Sequence, residues 1–310
     1  MTKSLNNKIS LAGFLITLTG AILFSTKAII VKLAFAHTPI DALTLLTLRM
    51  ISSLPFYLAA AWFGSSRKGV KRFSQKQWVA IISLGIFGYY LSSLFDFIGL
   101  QYISAGLERL ILFLYPTFAL LINAMLFKVK VSRIQRLALL LTYTGIALAY
   151  FGELKMDTGN PNFFLGSFLI FLCAITYASY IVGSGRFIPQ VGVTKFTAYA
   201  MLASTTGVFI HFAIAGKISN LEQLGGYWWY GLLLAIIATV IPTFLLSIGM
   251  KKIGSNNVAI ISGIGPVSTI LQANLILKEK IFITQIAGTI LVVAGVLLIG
   301  WKTRKNLEQT

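Results

Sequence analysis

The sequence predicts an all-α polytopic membrane protein: ten transmembrane helices arranged as two inverted five-helix repeats, with both termini in the cytoplasm. Three observations carry this prediction. Apolar runs of spanning length recur along the chain, basic residues fall mostly on one side of those runs, and the two halves match at a constant offset of 150 residues.

The first observation is hydropathy. Of 310 residues, 57% are hydrophobic and 11% are charged. A soluble domain of this size needs far more polar surface. A helix rises ~1.5 Å per residue, so about 20 apolar residues cross a ~30 Å hydrocarbon core. Such runs fall near 11–33, 40–62, 78–99, 105–127, 134–152, 164–184, 193–215, 227–249, 256–277 and 281–301. The first is too long for the ~7–15-residue core of a signal peptide. Ala34-Phe35-Ala36, which mimics a cleavage site, is therefore read as part of an uncleaved first span. The expected location is the cytoplasmic (inner) membrane.

The second is charge. Cytoplasmic loops carry the excess of Lys and Arg. Lys3, Lys8, Arg67, Lys68, Lys71, Arg72, Lys76, Lys128, Lys130, Arg133, Arg136, Arg186, Lys195, Lys251, Lys252, Lys302, Arg304 and Lys305 fall on one side of the ten runs. Only Lys155, Lys217, Lys278 and Lys280 fall on the other. Eighteen against four fits ten spans with both termini inside; one span more or fewer scrambles the bias. The net charge of +18 is thus a topology signal and does not imply nucleic-acid binding.

The third is the repeat. Gly99, Pro116, Lys128, Lys130, Gln135 and Gly145 meet Gly249, Pro266, Lys278, Lys280, Gln285 and Gly295 with no gap. Five spans per half is an odd number, so the second half enters from the opposite face. Inverted repeats of this kind are characteristic of secondary transporters. The expected organisation is a first repeat over 1–152, a connecting loop over 153–163, a second repeat over 164–301 and a tail over 302–310. Pro116 and Pro266 fall near the middle of spans 4 and 9, where each removes a backbone hydrogen bond. Matched interruptions in two halves point to a midplane binding site.

The stretches GLQYISAGLERLILFLYPTFALLINAMLFKVKVSRIQ and GMKKIGSNNVAIISGIGPVSTILQANLILKEKIFITQ resemble the two repeats of EamA-type transporters of the drug/metabolite transporter superfamily. AILFSTKAIIVKLAF and TPIDALTLLTLRM resemble the start of a half. The resemblance covers about 11–301 and implies a ten-helix carrier with cytoplasmic termini and a central cavity. Known relatives move amino acids, other metabolites, nucleotide sugars or toxic compounds. The sequence departs from the family at Phe24, where Trp is common.

A charge inside a span costs about 2.5–3.5 kcal/mol on insertion scales, so each one asks for a cavity or a partner. Arg49 lies near the midplane of span 2 and suits either a substrate carboxylate or phosphate, or an ion pair or carbonyl contacts that hold span 2 to its neighbours. Lys27 lies two-thirds along span 1 and is expected to line the cavity or pair with a carboxylate, and Lys32 near its outer end is expected to snorkel to the interface. Asp96, near the outer end of span 3, and Glu108, opening span 4, are the candidates for proton coupling. Glu108 and Arg109 point ~100° apart on a helix, so one is expected to serve the cavity and the other the interface or another helix. The candidate substrate-binding set is Arg49, Lys27, Tyr115, Pro116, Ser262, Gly265, Pro266 and Gln272, with Ser255, Asn256, Asn257 and Asn274 as further polar groups of the second half.

Cys173 is the lone cysteine, which excludes an internal disulfide and a cysteine-based metal site. No P-loop, nucleophile elbow or spaced His–carboxylate set is present, so neither an enzyme, a metal nor a cofactor is expected. The partners expected are a small-molecule substrate, the lipid bilayer and a coupling proton. The expected function is secondary transport of a small polar metabolite, an amino acid or related compound, with export as one direction. A lipid-head-group flippase or a small-molecule sensor would share these spans and repeats.

Overall fold

The computed structural model describes residues 11–65, 73–127, 133–155, 160–216, 227–253, 258 and 261–307. All regular structure among them is helical. The helices are α1 (Leu11–His37), α2 (Ala42–Ser65), α3 (Gln75–Gly99), α4 (Ala105–Leu112), α5 (Tyr115–Phe127), α6 (Arg133–Leu154), α7 (Phe163–Val191), α8 (Val193–Ala215), α9 (229–253), α10 (Gly265–Leu277) and α11 (Ile283–Leu307).

Eight of the described helices are long and apolar enough to cross a membrane, with α4 and α5 together forming one of them. Two shorter apolar helices, Gly265–Leu277 and Ile283–Gly295, fall at the ninth and tenth expected spans. Their outward faces carry large apolar residues such as Trp62, Phe63, Met125, Ile214 and Ile283, as lipid contact requires. Lys3, Lys8, Arg67, Lys68, Lys71, Arg72, Lys128, Lys130 and Lys217, on which the expected orientation partly rests, lie outside the described residues.

Local chemistry sets the ends. Ser74 and Gln77 form a capping box that starts α3, and Asp41 accepts from the Thr44 backbone N–H and hydroxyl at the start of α2. The span containing α4 and α5 is not one straight helix. Phe113 and Leu114 turn away after Leu112, and α5 restarts with Pro116 in its first turn, where a missing N–H costs nothing. Pro266 takes the matching place at the start of α10.

Packing follows the 150-residue offset. A Cβ built on Gly288 meets the Gly145 carbonyl, and one built on Gly295 meets the Ala138 carbonyl. Adding 150 to 145 and 138 turns one contact into the other. Likewise α1 packs on α9 through Thr17 and Gly249, and α7 packs on α3 through Gly166, Ile170 and Gly99. These glycines let backbones approach where hydrophobic burial gives no advantage over lipid. Two π-helical turns also correspond: Leu84–Tyr90 in α3 and Ile236–Val240 in α9. Each bulges where its helix lines the interior.

Candidate functional site

The interior is built around the turns and breaks just described. A small polar cavity of about 30 Å³ is lined by Phe24 and Lys27 of α1, Arg49 of α2, Tyr89, Ser92, Ser93 and Asp96 of α3, Leu112 of α4, Cys173 and Tyr177 of α7, and Ala238 and Thr239 of α9. Tyr89 and Thr239 sit in the two π turns, at positions related by the offset of 150. The Thr239 hydroxyl donates to the Leu234 carbonyl at 2.8 Å, five residues back. A π turn re-aims side chains by one extra residue, which is why such turns recur at functional sites.

The charges meet here. Lys27 Nζ lies 2.8 Å from an Asp96 oxygen and 3.7 Å from a Glu108 oxygen. Both carboxylates are buried, at 1% and 0% exposure. One ammonium therefore holds α1, α3 and α4 together, with the two carboxylates facing each other across it. Arg49, 2% exposed, donates to Ser93 Oγ at 2.9 Å and lies over the Phe97 ring. Arg109 is also buried, with its guanidinium over the rings of Phe24 and Phe113. Both members of the Glu108–Arg109 pair point inward: Glu108 joins the Lys27 cluster, and Arg109 takes the second of its two expected places, against other helices, where Gly265 of α10 leaves room for the guanidinium.

A second cavity of about 440 Å³ adjoins the first through Phe24, Tyr89 and Tyr177. Its walls are Tyr180, Ile181, Ser184, Gly185 and Ile188 of α7, Val193, Thr197 and Met201 of α8, and Thr243 and Leu246 of α9. It therefore extends toward the α7–α8 connection.

The opposite end is closed by a polar clasp around the start of α4. Glu153, at the end of α6, accepts from the Ser104 backbone N–H at 3.3 Å and from its hydroxyl at 2.8 Å. Glu279, between α10 and α11, accepts from the backbone N–H groups of Ala105 at 3.1 Å and Gly106 at 3.5 Å. These donors are helix N-terminal groups without intrahelical partners, where a carboxylate is favoured. Lys32 Nζ donates to the Ile103 carbonyl at 2.9 Å, so it joins the clasp instead of snorkelling away. Asn160 donates to the Tyr102 carbonyl, and Asn274 holds the Glu279 carbonyl.

Of the candidate residues, Lys27, Arg49 and Asp96 line the small cavity, and Glu108 joins it through Lys27. Tyr115 packs edge-on against Tyr177 of the cavity wall. Gly265 abuts Arg109. Pro116, Ser262, Pro266 and Gln272 are not among the residues lining the two cavities; Gln272 bonds Ser268 within α10. Ser255, Asn256 and Asn257 lie outside the described residues. His211 is hydrogen-bonded to the Tyr90 hydroxyl at 2.7 Å. The clasp carboxylates Glu153 and Glu279 were not legible as a pair. Their only signal is that acidic residues are so few, eight in the whole chain.

Comparison with known proteins gives concordant matches. The model of the EamA-like transporter family matches residues 11–151 and 164–301. A Bacillus subtilis (strain 168) protein named uncharacterized transporter YcbK is 32% identical over 282 residues, covering 89% of each chain. An uncharacterized transporter from Archaeoglobus fulgidus is 22% identical over 255 residues, covering 80% of this chain and 87% of its own. A solved crystal structure superposes with a TM-score of 0.66 at 21% identity, covering 94% of this chain and 97% of that one, which shows a shared fold.

Proposed function

As the chain belongs to the EamA-like transporter family, we propose that it is a secondary transporter that moves a small polar metabolite across the cytoplasmic membrane by alternating access. Ten spans with both termini inside, and two inverted repeats over 1–152 and 164–301 joined by 153–163, belong to this reading, with 302–310 as a cytoplasmic tail. The offset-related contacts of α6 with α11 support the inverted repeats. So does the correspondence of the two π turns.

The observation that carries the proposal is the buried Lys27–Asp96–Glu108 cluster at a small cavity that adjoins a large one. One ammonium and two carboxylates sum to −1 when all are ionised, and a single proton brings the cluster to neutrality. Buried charge of either sign is costly, so proton uptake or loss changes which arrangement of α1, α3 and α4 is favoured. In the orientation given by the positive-inside rule, the larger cavity faces the cytoplasm and the Glu153–Glu279 clasp closes the outer side. The conformation is then the inward-open one of two states of comparable energy.

The test is flux in proteoliposomes, with a labelled mixture of amino acids and related metabolites and with or without an imposed pH gradient. Protein-dependent flux that the gradient enhances is expected. Flux indifferent to the gradient removes proton coupling, and no flux of any component removes the small-metabolite carrier.

A further inference from the structure

The charges of the interior do not balance internally. Lys27 is occupied by Asp96 and Glu108. Among the described residues, Arg49 and Arg109 have no carboxylate oxygen within the 4.0 Å of an ion pair, and the Nε of each is buried without a hydrogen-bond partner. Arg49 is 2% and Arg109 6% exposed. A buried cation without an anion is expensive, so a fold that keeps Arg49 in a cavity wall and Arg109 stacked behind Phe24 of the same wall suits an anion that arrives.

The stacking geometry says which part of each guanidinium is spoken for. Phe97 lies 4.9 Å from Arg49, while Phe24 and Phe113 lie 5.5 and 5.9 Å from Arg109. A ring covers the face of a guanidinium and leaves its in-plane N–H groups to bond; at Arg49 one of them donates to Ser93 Oγ, and the Nε–H has no partner among the described residues. Those in-plane donors are what a carboxylate accepts in a bidentate pair. Phe24 links the two cations: it stacks on Arg109 and lines both cavities, the smaller one together with Arg49. The adjoining 440 Å³ space is walled by Tyr89, Tyr177, Tyr180 and Met201, which suits an apolar or aromatic body.

We propose that Arg49 and Arg109, flanking Phe24, form an anion-recognition site, and that the cargo carries a carboxylate on an apolar or aromatic body. This deepens the carrier reading and rests on it for calling the bound acid a cargo.

The test uses three probes of one shape: 3-phenylpropionate, 3-phenylpropanamide and 3-phenylpropylamine. Binding to the purified full chain is measured by titration calorimetry. The acid is expected to bind, and the amide and amine much more weakly. Arg109→Gln and Arg49→Gln are each expected to weaken the acid by about 10- to 100-fold, the range of one or two charge-assisted hydrogen bonds. A Cβ on Gly265 lies 2.7 Å from an Arg109 terminal nitrogen, so Gly265→Ala shifts the guanidinium while keeping its charge. This variant and Arg109→Lys are expected to weaken the acid by less than Arg109→Gln does, which guards against a glutamine variant that fails to fold. Equal binding of the three probes, acid binding unmoved in folded variants, or no acid binding to the wild type overturns the site. Flux of other cargo without acid binding rejects the anion site and leaves the carrier standing. Acid binding that follows both arginines, without flux of any cargo, supports the site and rejects the carrier.

Discussion

Glu279→Gln tests whether the outer side is closed by the carboxylate clasp. The carboxylate accepts one well-formed bond from the Ala105 N–H at 3.1 Å and a marginal one from Gly106 at 3.5 Å. A hydrogen bond to a charged group contributes about 1.5–3 kcal/mol and a neutral one about 0.5–1.5. Glutamine keeps one carbonyl acceptor, so the loss on this account is about 1–1.5 kcal/mol. Removing a negative charge from a helix N-terminus costs roughly another 0.3–1 kcal/mol. The sum, near 2 kcal/mol, shifts the closed-to-open equilibrium about 30-fold, at roughly 1.4 kcal/mol per decade.

The chain supplies its own reporter. Cys173 is the sole cysteine, lines the small cavity beneath the clasp and donates to Ser92. In right-side-out vesicles, a membrane-impermeant methanethiosulfonate reaches it only through an open outer side. While the open state is the minor one, the modification rate follows its population. Glu279→Gln is expected to raise that rate by about 30-fold and Glu153→Gln to raise it in the same direction. An unchanged rate in Glu279→Gln, in a variant that unfolds at the wild-type temperature, refutes the clasp as the outer closure.

Four further outcomes follow from the packing and the charges. Gly288→Ala pushes a methyl group against the Gly145 backbone carbonyl, which cannot swing aside, and should destabilise the chain by about 1–3 kcal/mol in thermal unfolding. Gly185→Ala meets no atom within 4 Å, and should raise stability by about 0.5–1 kcal/mol through the helix preference of alanine. Lys27→Met strands two buried carboxylates and should cost about 3–5 kcal/mol, whereas Glu108→Gln keeps the 2.8 Å Lys27–Asp96 pair and should cost far less; equal losses would deny the cluster its unequal geometry. In liposomes, Glu108→Gln should abolish accumulation against a gradient while sparing exchange, and continued accumulation would remove Glu108 from coupling.

The sequence announced the fold through quantities that need no tertiary detail. Span length is set by the bilayer, and side preference by loop charge. The offset of 150 shows in glycine, proline and lysine positions that apolar drift does not reproduce. The π turns were not legible. An extra residue per turn is tolerated where tertiary packing rewards it: Gly85 in α3 sits against the Ala200 carbonyl, and Gly88 against the backbone of Tyr180. For the site, the charges of Lys27, Arg49, Asp96 and Glu108 stood out because a charge in hydrocarbon needs a reason. A carboxylate partner for Lys27 was one expectation; that Asp96 and Glu108 share it was not legible, since that depends on how three helices register in depth. Gly265 was legible as a loosened backbone; its use, to seat Arg109, needed the packing of one half against the other.

The break at Phe113–Leu114 gives the Glu108–Arg109 pair its significance. A straight helix from Ala105 to Phe127 would carry any shift at its outer end through the whole span. With the break, α4 is a separate eight-residue helix, and all eight of its residues are buried. Its first turn is held by Glu153 and Glu279, carboxylates from different halves of the chain. Its second carries Glu108 into the Lys27 cluster and Arg109 toward Phe24. Proton occupancy at Glu108 and anion occupancy at Arg109 therefore act on the same short rigid body that the clasp restrains. That arrangement needs no long pathway between site and outer closure: one helix turn, ~5.4 Å, separates them. It also explains why the adjacent charges are opposite. A proton bound at Glu108 and an anion bound at Arg109 alter the net charge of α4 in opposite directions, so each favours the other's arrival, and joint occupancy follows from electrostatics on a single helix.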